Sequence, residues 1–309
     1  MRTARRTTAV LLLAILVLPS CGAREPAGPG AGAGGEFPVT ITDARGETTL
    51  EEAPRRIVSL SPTSTEILFA IGAGEQVVAA DEHSNHPEEA PDTELSGFTP
   101  SVEAIAEHEP DLVILARDAE DAAEQLERIE IPVVVLPAGE VLEDTYDQMR
   151  LLGEATGHSD EAEEAADQVE AELDGIVAET REQTGDVDLS YYHELDDAMY
   201  SVNSGTFIGQ VYERFGLSNI ADAAGDEADG YPQLSAEFVV AEDPDLIFLS
   251  HGGVDAVASL EERPAFDTIS AVQNGDVVTL DPDIASRWGP RVVELAQSVS
   301  EAVIAAEET

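Results

Sequence analysis

Lysine is missing from this chain of 309 residues, and cysteine occurs only once, at Cys21. All 15 basic residues are arginine, and 64 acidic residues leave a formal net charge of −49. A surface of that sign repels phosphate, which argues strongly against nucleic acid or anionic lipid as the main ligand. The hydrophobic fraction of 43% is that of a globular protein, so the acidity belongs to a folded surface suited to a saline or alkaline medium.

The sequence also lacks the short motifs of common enzymes. It contains no nucleophile elbow, phosphate loop, dinucleotide fingerprint or zinc-protease helix. His83 and His86 bring two imidazoles close together, but no third metal ligand lies at a suitable spacing, and a turn before Pro87 explains the segment as well. We therefore expect neither an enzyme, nor a cofactor, nor a metal site.

The amino terminus has the features of an export signal. In residues 1–20, arginines precede an apolar run from Ala9 to Leu18 that is too short to span a membrane, as in a signal peptide. Leu18-Pro-Ser-Cys21 resembles the lipobox of bacterial lipoproteins, in which the cysteine becomes the acylated first residue of the mature chain. A lone cysteine cannot form an internal disulfide, so we expect Cys21 to carry a lipid anchor and the Gly-rich residues 21–36 to form a tether. The alternative is an ordinary secretory signal that happens to end in cysteine.

One segment of the chain is written twice, as Ser101-Val-Glu-Ala-Ile-Ala-Glu-His-Glu-Pro-Asp-Leu-Val-Ile-Leu115 and as Ser235-Ala-Glu-Phe-Val-Val-Ala-Glu-Asp-Pro-Asp-Leu-Ile-Phe-Leu249. Each copy predicts a helix of under two turns capped by its serine, a Pro-Asp turn and a buried strand. The copies lie too far apart for a solenoid repeat. They therefore predict two similar lobes.

The pattern around the repeats predicts an α/β fold. Short strand patterns alternate with helices, as in parallel, doubly wound sheets. Between residues 143 and 184 no strand pattern occurs, and apolar residues recur at helical spacing from Ala162 to Val177, which predicts a helix of about 22 residues and roughly 33 Å. We predict an N-terminal α/β lobe at 37–142, one long linking helix at 143–184 and a C-terminal α/β lobe at 185–309, with the ligand cleft between the lobes.

A glycine and an aromatic residue precede each copy of the repeat. The pairs are Gly97-Phe98 and Gly230-Tyr231, and Trp288 lies in a third loop of the same kind. Ligands of open α/β sheets bind at the carboxyl ends of the strands, where such loops lie. Two aromatic rings facing each other across a cleft would suit a large, flat or greasy ligand.

Two further pairs of charged residues leave alternatives open. Asp283 and Arg287 form a structural ion pair or line the site. Glu103 and Glu237 lie in the first turn of the repeated helix, where a carboxylate stabilises the helix dipole by ~0.3–1 kcal/mol. A matched carboxylate on each lobe also suits arginines on a partner protein, and we favour this second role.

Several stretches carry a resemblance to a known family. These stretches are Arg56-Ile-Val-Ser-Leu-Ser-Pro-Thr-Ser-Thr-Glu-Ile-Leu-Phe-Ala70, the repeats that contain Glu103 and Glu237, and Asn274-Gly-Asp-Val-Val278 with Trp288-Gly-Pro-Arg291. They resemble the ferric-siderophore and cobalamin binding proteins of ABC importers, over roughly residues 38–306. The resemblance implies two lobes joined by one rigid helix, a ligand clamped between them and little hinge motion. It also implies that Glu103 and Glu237 dock onto arginines of the membrane permease.

The same resemblance implies contacts in the pocket. Tyr231 stands where cobalamin binders have an aromatic residue that touches the corrin, though theirs is the larger tryptophan. His86 falls where that branch has an aromatic residue, Phe98 is one residue off register, and Tyr200 lies where the first strand of the second lobe meets the cleft. The expected ligand-binding residues are His86, Phe98, Tyr200, Tyr231, Asp283, Arg287 and Trp288.

These features together predict an extracytoplasmic, membrane-anchored solute-binding lipoprotein. It would deliver a metal chelate, either a corrinoid or a ferric siderophore, to the permease subunits of an ABC importer. The alternatives are a secreted α/β hydrolase, a Zn or Mn ion binding protein, or a surface lipoprotein that binds only other proteins.

Overall fold

A computed structural model of the protein describes residues 37–225 and 230–308, and these residues lie in one compact unit. A hairpin is formed by β1 (Val39–Asp43) and β2 (Gly46–Leu50), which pair antiparallel. Asp43 organises it, because Oδ1 accepts from the main-chain N–H of Gly46 at 3.1 Å while Oδ2 accepts from that of Val135 at 2.7 Å. One side chain thus closes the turn and attaches the hairpin to the first lobe.

The first lobe is built on a parallel four-stranded sheet. Its strands are β3 (Ile57–Leu60), β4 (Val77–Ala80), β5 (Leu112–Leu115) and β6 (Val133–Val135), in the spatial order β4-β3-β5-β6, and its helices are α1 (Pro62–Ala70), α2 (Val102–Ala106) and α3 (Ala122–Glu127). The start of α1 follows from its sequence. Ser61 Oγ accepts from the N–H of Ser64 at 3.2 Å, and Pro62 occupies the first helical turn, where no N–H is needed.

Two helices in succession form the link between the lobes. They are α4 (Glu143–Thr156) and α5 (Ser159–Thr184), separated where Gly157 adopts a φ of 80°. The helix predicted from the apolar spacing between Ala162 and Val177 is α5, which is longer than expected at 26 residues, or roughly 39 Å. It does not run unbroken from 143 to 184 as expected, because α4 ends at Thr156.

The second lobe repeats the topology of the first. Its strands are β7 (Ser190–Glu194), β8 (Ser218–Asn219), β9 (Leu246–Leu249) and β10 (Val277–Thr279), in the order β8-β7-β9-β10, and its helices are α6 (Phe207–Arg214), α7 (Ala236–Glu242), α8 (Ala256–Glu261), α9 (Ser270–Asn274), α10 (Pro282–Ser286) and α11 (Val292–Glu307). In each sheet the first strand lies between the second and third, so the α/β class with two similar lobes is confirmed.

The two copies of the repeat match in detail. Ser101 Oγ accepts from the N–H of Ala104 at 3.3 Å, and Ser235 Oγ accepts from that of Phe238 at 3.2 Å, so both predicted caps are confirmed. Directly before the Pro-Asp turn, each copy also has a residue with positive φ, Glu109 at 47° in the first and Asp243 at 49° in the second.

The aspartate of each Pro-Asp turn fastens the repeat to the neighbouring central strand. Asp111 Oδ2 accepts from the N–H groups of Arg55 at 2.8 Å and Arg56 at 3.1 Å, just before β3. Asp245 Oδ2 accepts from the N–H of Ser190 at 2.8 Å, at the start of β7. The shared sequence therefore encodes a shared long-range contact as well as a turn.

The hydrophobic core joins the lobes. One face of each sheet packs into a common cluster that includes Ile57 of β3, Leu173 of α5, Tyr191 of β7 and Val299 of α11, all of them buried. The opposite faces of the two sheets have separate clusters of their own. Within residues 37–225 and 230–308, no helix is long and apolar enough to cross a membrane.

Close packing of α4 on α5 yields a test with an internal control. A Cβ at Gly153 would lie 2.3 Å from the Cβ of Ala162, whereas a Cβ at Gly175 would meet nothing within 4 Å. Gly153→Ala should lower the free energy of unfolding by ~1–2 kcal/mol despite its better helix propensity, because overpacking costs ~1–3 kcal/mol. Gly175→Ala should raise it by up to ~1 kcal/mol. Urea unfolding followed by circular dichroism measures both, and equal changes in the two variants would contradict this packing.

Candidate ligand-binding cleft

The carboxyl ends of the first sheet open onto a cavity of about 620 Å³, here called the aromatic cavity. Both lobes contribute to its walls: Leu60, Ser61, Pro62, Thr63, Asp81, His83, Gly97, Phe98, Ala116, Arg117, Pro137 and Ala138 come from the first, and Asp283, Ser286, Arg287 and Trp288 from the second. This volume lies within the range of roughly 300–1,000 Å³ that is usual for small-molecule sites.

A second cavity of about 590 Å³ adjoins the first, and Pro137 and Ala138 line both. It is here called the Tyr231 cavity, and Asn203, Thr206 and Phe207 also lie on its wall. The two cavities follow the boundary between the lobes. Together they form a cleft long enough for a ligand larger than either cavity holds.

A buried ion cluster adjoins the aromatic cavity through Arg287, which lines the cavity wall. Glu66 of α1 has almost no exposed surface, and its carboxylate accepts from Arg287 Nη1 at 2.6 Å and from Arg291 Nε and Nη2 at 3.0 and 2.8 Å. The hydrogen bond to Glu66 raises the pKa of Arg291. Both arginines belong to the second lobe, so the cluster ties α1 to the segment before α11.

Arg287 forms an ion pair with Asp283 and also lines the cavity, so it combines the two arrangements considered from the sequence. Its Nη2 lies 2.9 Å from Asp283 Oδ1 and donates to the carbonyl of His83 at 3.0 Å, while Nη1 donates to Asn85 Oδ1 at 2.9 Å. Asn85 in turn donates to Asp283 Oδ2 at 2.7 Å. Both Nη atoms of Arg287 therefore have hydrogen-bond partners within the protein.

Two aromatic side chains, Phe98 and Trp288, line this cavity. Phe98 is 58% exposed, and its ring meets the ring of His83 edge-on at 5.7 Å between centroids. Trp288 is held from α4, since its Nε1 donates to Gln148 Oε1 at 3.2 Å and its carbonyl accepts from Thr145 Oγ1 at 3.1 Å. One ring is open to the cleft and the other is fixed in place.

Tyr231 lines the neighbouring cavity and is 41% exposed. Gly230 has a φ of 92°, and a Cβ there would lie 2.7 Å from Thr206 Cγ2, so glycine is needed directly before it. The loops that carry Phe98 and Tyr231 thus open onto adjoining cavities.

The remaining predicted residues lie elsewhere. His86 and Tyr200 are exposed but line neither cavity, and Tyr200 pairs with Gln233 in an isolated antiparallel bridge. Glu103 and Glu237 are also exposed, and neither has a cationic partner within residues 37–225 and 230–308. Cys21 and the tether at 21–36 lie outside the described residues.

Sequence reasoning missed Asp81 on the cavity wall. It is buried, its Oδ1 accepts from the N–H of His83 at 2.7 Å, and its Oδ2 has no hydrogen-bond partner. Burial raises its pKa, because a charged carboxylate loses hydration there. An aspartate directly after a short apolar strand was the available signal.

A second buried ion cluster lies at the carboxyl end of β7. Glu194 has no exposed surface and accepts from both Nη atoms of Arg263 at 2.5 and 2.8 Å, and it lies 2.7 Å from His251 Nε2. Beside it, burial lowers the pKa of His193 to about 3, so that imidazole is neutral and bonds Tyr212 at 2.8 Å. None of these residues lines either cavity, so the cluster stabilises the second lobe.

Metal ligation by the protein itself finds no support in the part of the chain that the structure describes. No three His, Cys, Asp or Glu side chains there are grouped so that they could hold an ion. His83 and His86 in particular acquire no third ligand.

Similarity to curated proteins extends over nearly the whole chain. An uncharacterized ABC transporter substrate-binding lipoprotein of Bacillus subtilis is 30% identical over 307 residues, which cover 96% of this chain and 95% of the relative. A cobalamin-binding protein of Halobacterium salinarum is 30% identical over 306 residues, covering 93% and 81%.

Solved structures share the fold. The periplasmic vitamin B12 binding protein of Vibrio cholerae superposes with a TM-score of 0.69 at 25% identity, covering 83% of this chain and 99% of its own. The periplasmic heme-binding protein of Roseiflexus gives 0.72 at 25% identity, covering 82% and 99%.

A family model completes the comparison. The model described as periplasmic binding protein matches residues 57–284, which span both sheets and the linking helices. With two lobes of one topology and a cleft between them, the chain belongs to the periplasmic binding protein family.

Proposed function

We propose that this protein is an extracytoplasmic solute-binding protein that delivers a metal chelate, a corrinoid or a ferric siderophore, to an ABC importer. The observation that carries the proposal is the aromatic cavity between the lobes, with Phe98 and Trp288 on its walls. Family membership and the relatives named for ABC transport and for cobalamin support it.

A corrinoid is the better match of the two chelates. Aromatic rings bind the face of a flat, conjugated macrocycle over a large area, whereas a compact siderophore offers less flat surface. Relatives at 30% identity are named cobalamin-binding and vitamin B12-binding. A chelate brings its metal already ligated, which agrees with a cleft whose described residues provide no set of metal ligands. Solute binding requires no catalytic group, and we propose that the protein is not an enzyme.

The transporter contact is proposed to involve Glu103 and Glu237. Each lies in the first turn of the repeated helix, one on each lobe, and each carboxylate is exposed. Arginine binds carboxylate in a bidentate manner, so two matched carboxylates would orient the protein on a permease that carries arginines. Cys21 is proposed to hold the protein at the membrane, on the strength of the lipobox-like stretch and a relative named as a lipoprotein.

Ligand binding can be tested at Tyr231. Tyr231→Ala should weaken binding of the corrinoid cyanocobalamin by ~1–3 kcal/mol, because the exposed ring contributes contact area in the cleft. Isothermal titration measures the affinity, and a thermal melt of the empty protein measures stability, which should change little.

Ile129→Ala is a suitable control, since it removes an apolar side chain that is 50% exposed and lines neither cavity. Tyr200→Ala and His86→Ala in the same titrations decide whether those two predicted residues contribute. If cyanocobalamin and ferric siderophores all fail to bind the parent protein, the proposed function is wrong.

Docking can be tested by charge reversal. Glu103→Arg with Glu237→Arg should abolish ligand-dependent stimulation of the transporter ATPase in proteoliposomes, because like charges would then face each other at both contacts. Affinity for the ligand should stay within about threefold, a change of under ~0.7 kcal/mol. Glu164→Arg with Glu172→Arg on α5 changes the net charge equally and should leave stimulation intact. Full stimulation by the first double variant would exclude docking through these carboxylates.

Anchoring can be tested by fractionation. Cys21→Ser removes the thiol that would be acylated and should move the protein from the membrane fraction to the soluble fraction. The melting temperature should not change, because the proposed role of Cys21 is to attach the protein to the membrane and not to stabilise its fold. Retention of the folded variant in the membrane fraction would exclude the lipid anchor.

A further inference from the structure

Most arginines that the structure describes have carboxylate partners. Within residues 37–225 and 230–308, those with a carboxylate oxygen within 4.0 Å are Arg45, Arg128, Arg150, Arg181, Arg214, Arg263, Arg287 and Arg291. Arg56 donates instead to the carbonyls of His108 and Glu109. Arg117 and Arg55 have no such partner among the described residues, although the chain carries a net charge of −49.

Arg117 lies on the wall of the aromatic cavity, two residues after the end of β5. The adjacent carboxylate does not neutralise it. Asp118 lies 3.6 Å from Arg45 Nε and accepts from the N–H of Ala123 at 2.9 Å, so its oxygens are occupied on the side of the hairpin and α3. The side chain of Arg117 is exposed.

Phe98 holds this guanidinium in place. Arg117 Cζ lies 4.5 Å from the centroid of the Phe98 ring, a cation–π distance. The ring itself is positioned by Gly97, where a Cβ would lie only 2.7 Å from the carbonyl oxygen of Leu60, and by its edge contact with His83. Contact with a ring face leaves the N–H donors of a guanidinium available.

No other arginine that the structure describes on this wall is available to a ligand. Arg287 is 7% exposed and bonds Glu66, Asp283, Asn85 and the carbonyl of His83. Asp283 is paired with Arg287, and Asp81, whose Oδ2 has no hydrogen-bond partner, is a buried acid. Arg117 is therefore the cation on this wall that remains available to a ligand.

We infer that Arg117, positioned by Phe98, binds an anionic oxygen group on the chelate and so helps to select which chelate the cleft accepts. This inference rests on the proposed function and specifies it further. A planar guanidinium pairs with a carboxylate or a phosphodiester through two parallel hydrogen bonds. The phosphodiester of a complete corrinoid and the carboxylates of a metalloporphyrin offer the same chemistry.

Two matched pairs of probes distinguish these sources. Cyanocobalamin carries a phosphodiester and dicyanocobinamide lacks it, while haemin carries two carboxylates and haemin dimethyl ester none. The test uses whichever of the two pairs the parent protein binds. Arg117→Gln should lower the affinity for the anionic member of that pair at least tenfold. Its affinity for the other member should fall less than twofold. Isothermal titration of each variant with each probe gives these ratios.

Arg55→Gln is the matched control. It removes the same charge from an exposed arginine at the amino end of β3, and the carboxyl end of that strand lines the cavity. Every affinity should stay within twofold for this variant. An equal loss in both variants would show a general effect of net charge and would overturn the inference.

The remaining outcomes separate the two proposals. An equal loss on both members of a pair, no loss in Arg117→Gln, or a preference of the parent for ferrichrome, which has no anionic group, overturns the role of Arg117 while the proposed function stands. Failure of the parent protein to bind the corrinoids and ferric siderophores overturns the proposed function, and failure to bind haemin as well overturns both.

Discussion

The buried charge of Glu66 fixes the geometry of the cleft. Leaving a buried carboxylate without a cation costs about 3–5 kcal/mol, so α1 is stable where it lies only if Arg287 and Arg291 reach it from the second lobe. The same contacts place Asp283 and Trp288 on the wall of the aromatic cavity. One carboxylate thereby determines how the C-terminal segment meets the first sheet, and the binding surface depends on that contact.

The shared hydrophobic core also holds the two lobes together. Because one face of each sheet packs into a common cluster with α5 and α11, separating the lobes would expose buried apolar surface at about 25 cal/mol per Å². This arrangement favours a cleft that exists before the ligand arrives, and a preformed site binds without a large ordering cost. The packing of the core therefore supports the expectation of little hinge motion between the lobes.

At the aromatic cavity the local charge differs in sign from that of the protein as a whole. A net charge of −49 keeps the protein soluble and repels anions, yet carboxylates are also what a basic surface on a transporter would recognise. At the aromatic cavity the guanidinium of Arg117 makes the local charge positive, because the neighbouring Arg287 and Asp283 are paired with each other. In these proposals the acidic exterior contacts the transporter, whereas Arg117 in the cleft contacts the ligand.

The sequence by itself determined the class of fold, because local patterns carry it. Helix caps at Ser61, Ser101 and Ser235 and the apolar spacing along α5 depend on neighbouring residues alone. Only the tertiary structure decided which side chains share the cleft. Glu66 meets Arg287 across 221 positions, and Arg117 meets Phe98 across a stretch that contains α2 and β5. Such contacts arise from the packing of elements that are distant in sequence, for which no local pattern exists, and so His86 and Tyr200 could not be separated from Phe98 and Trp288 by sequence.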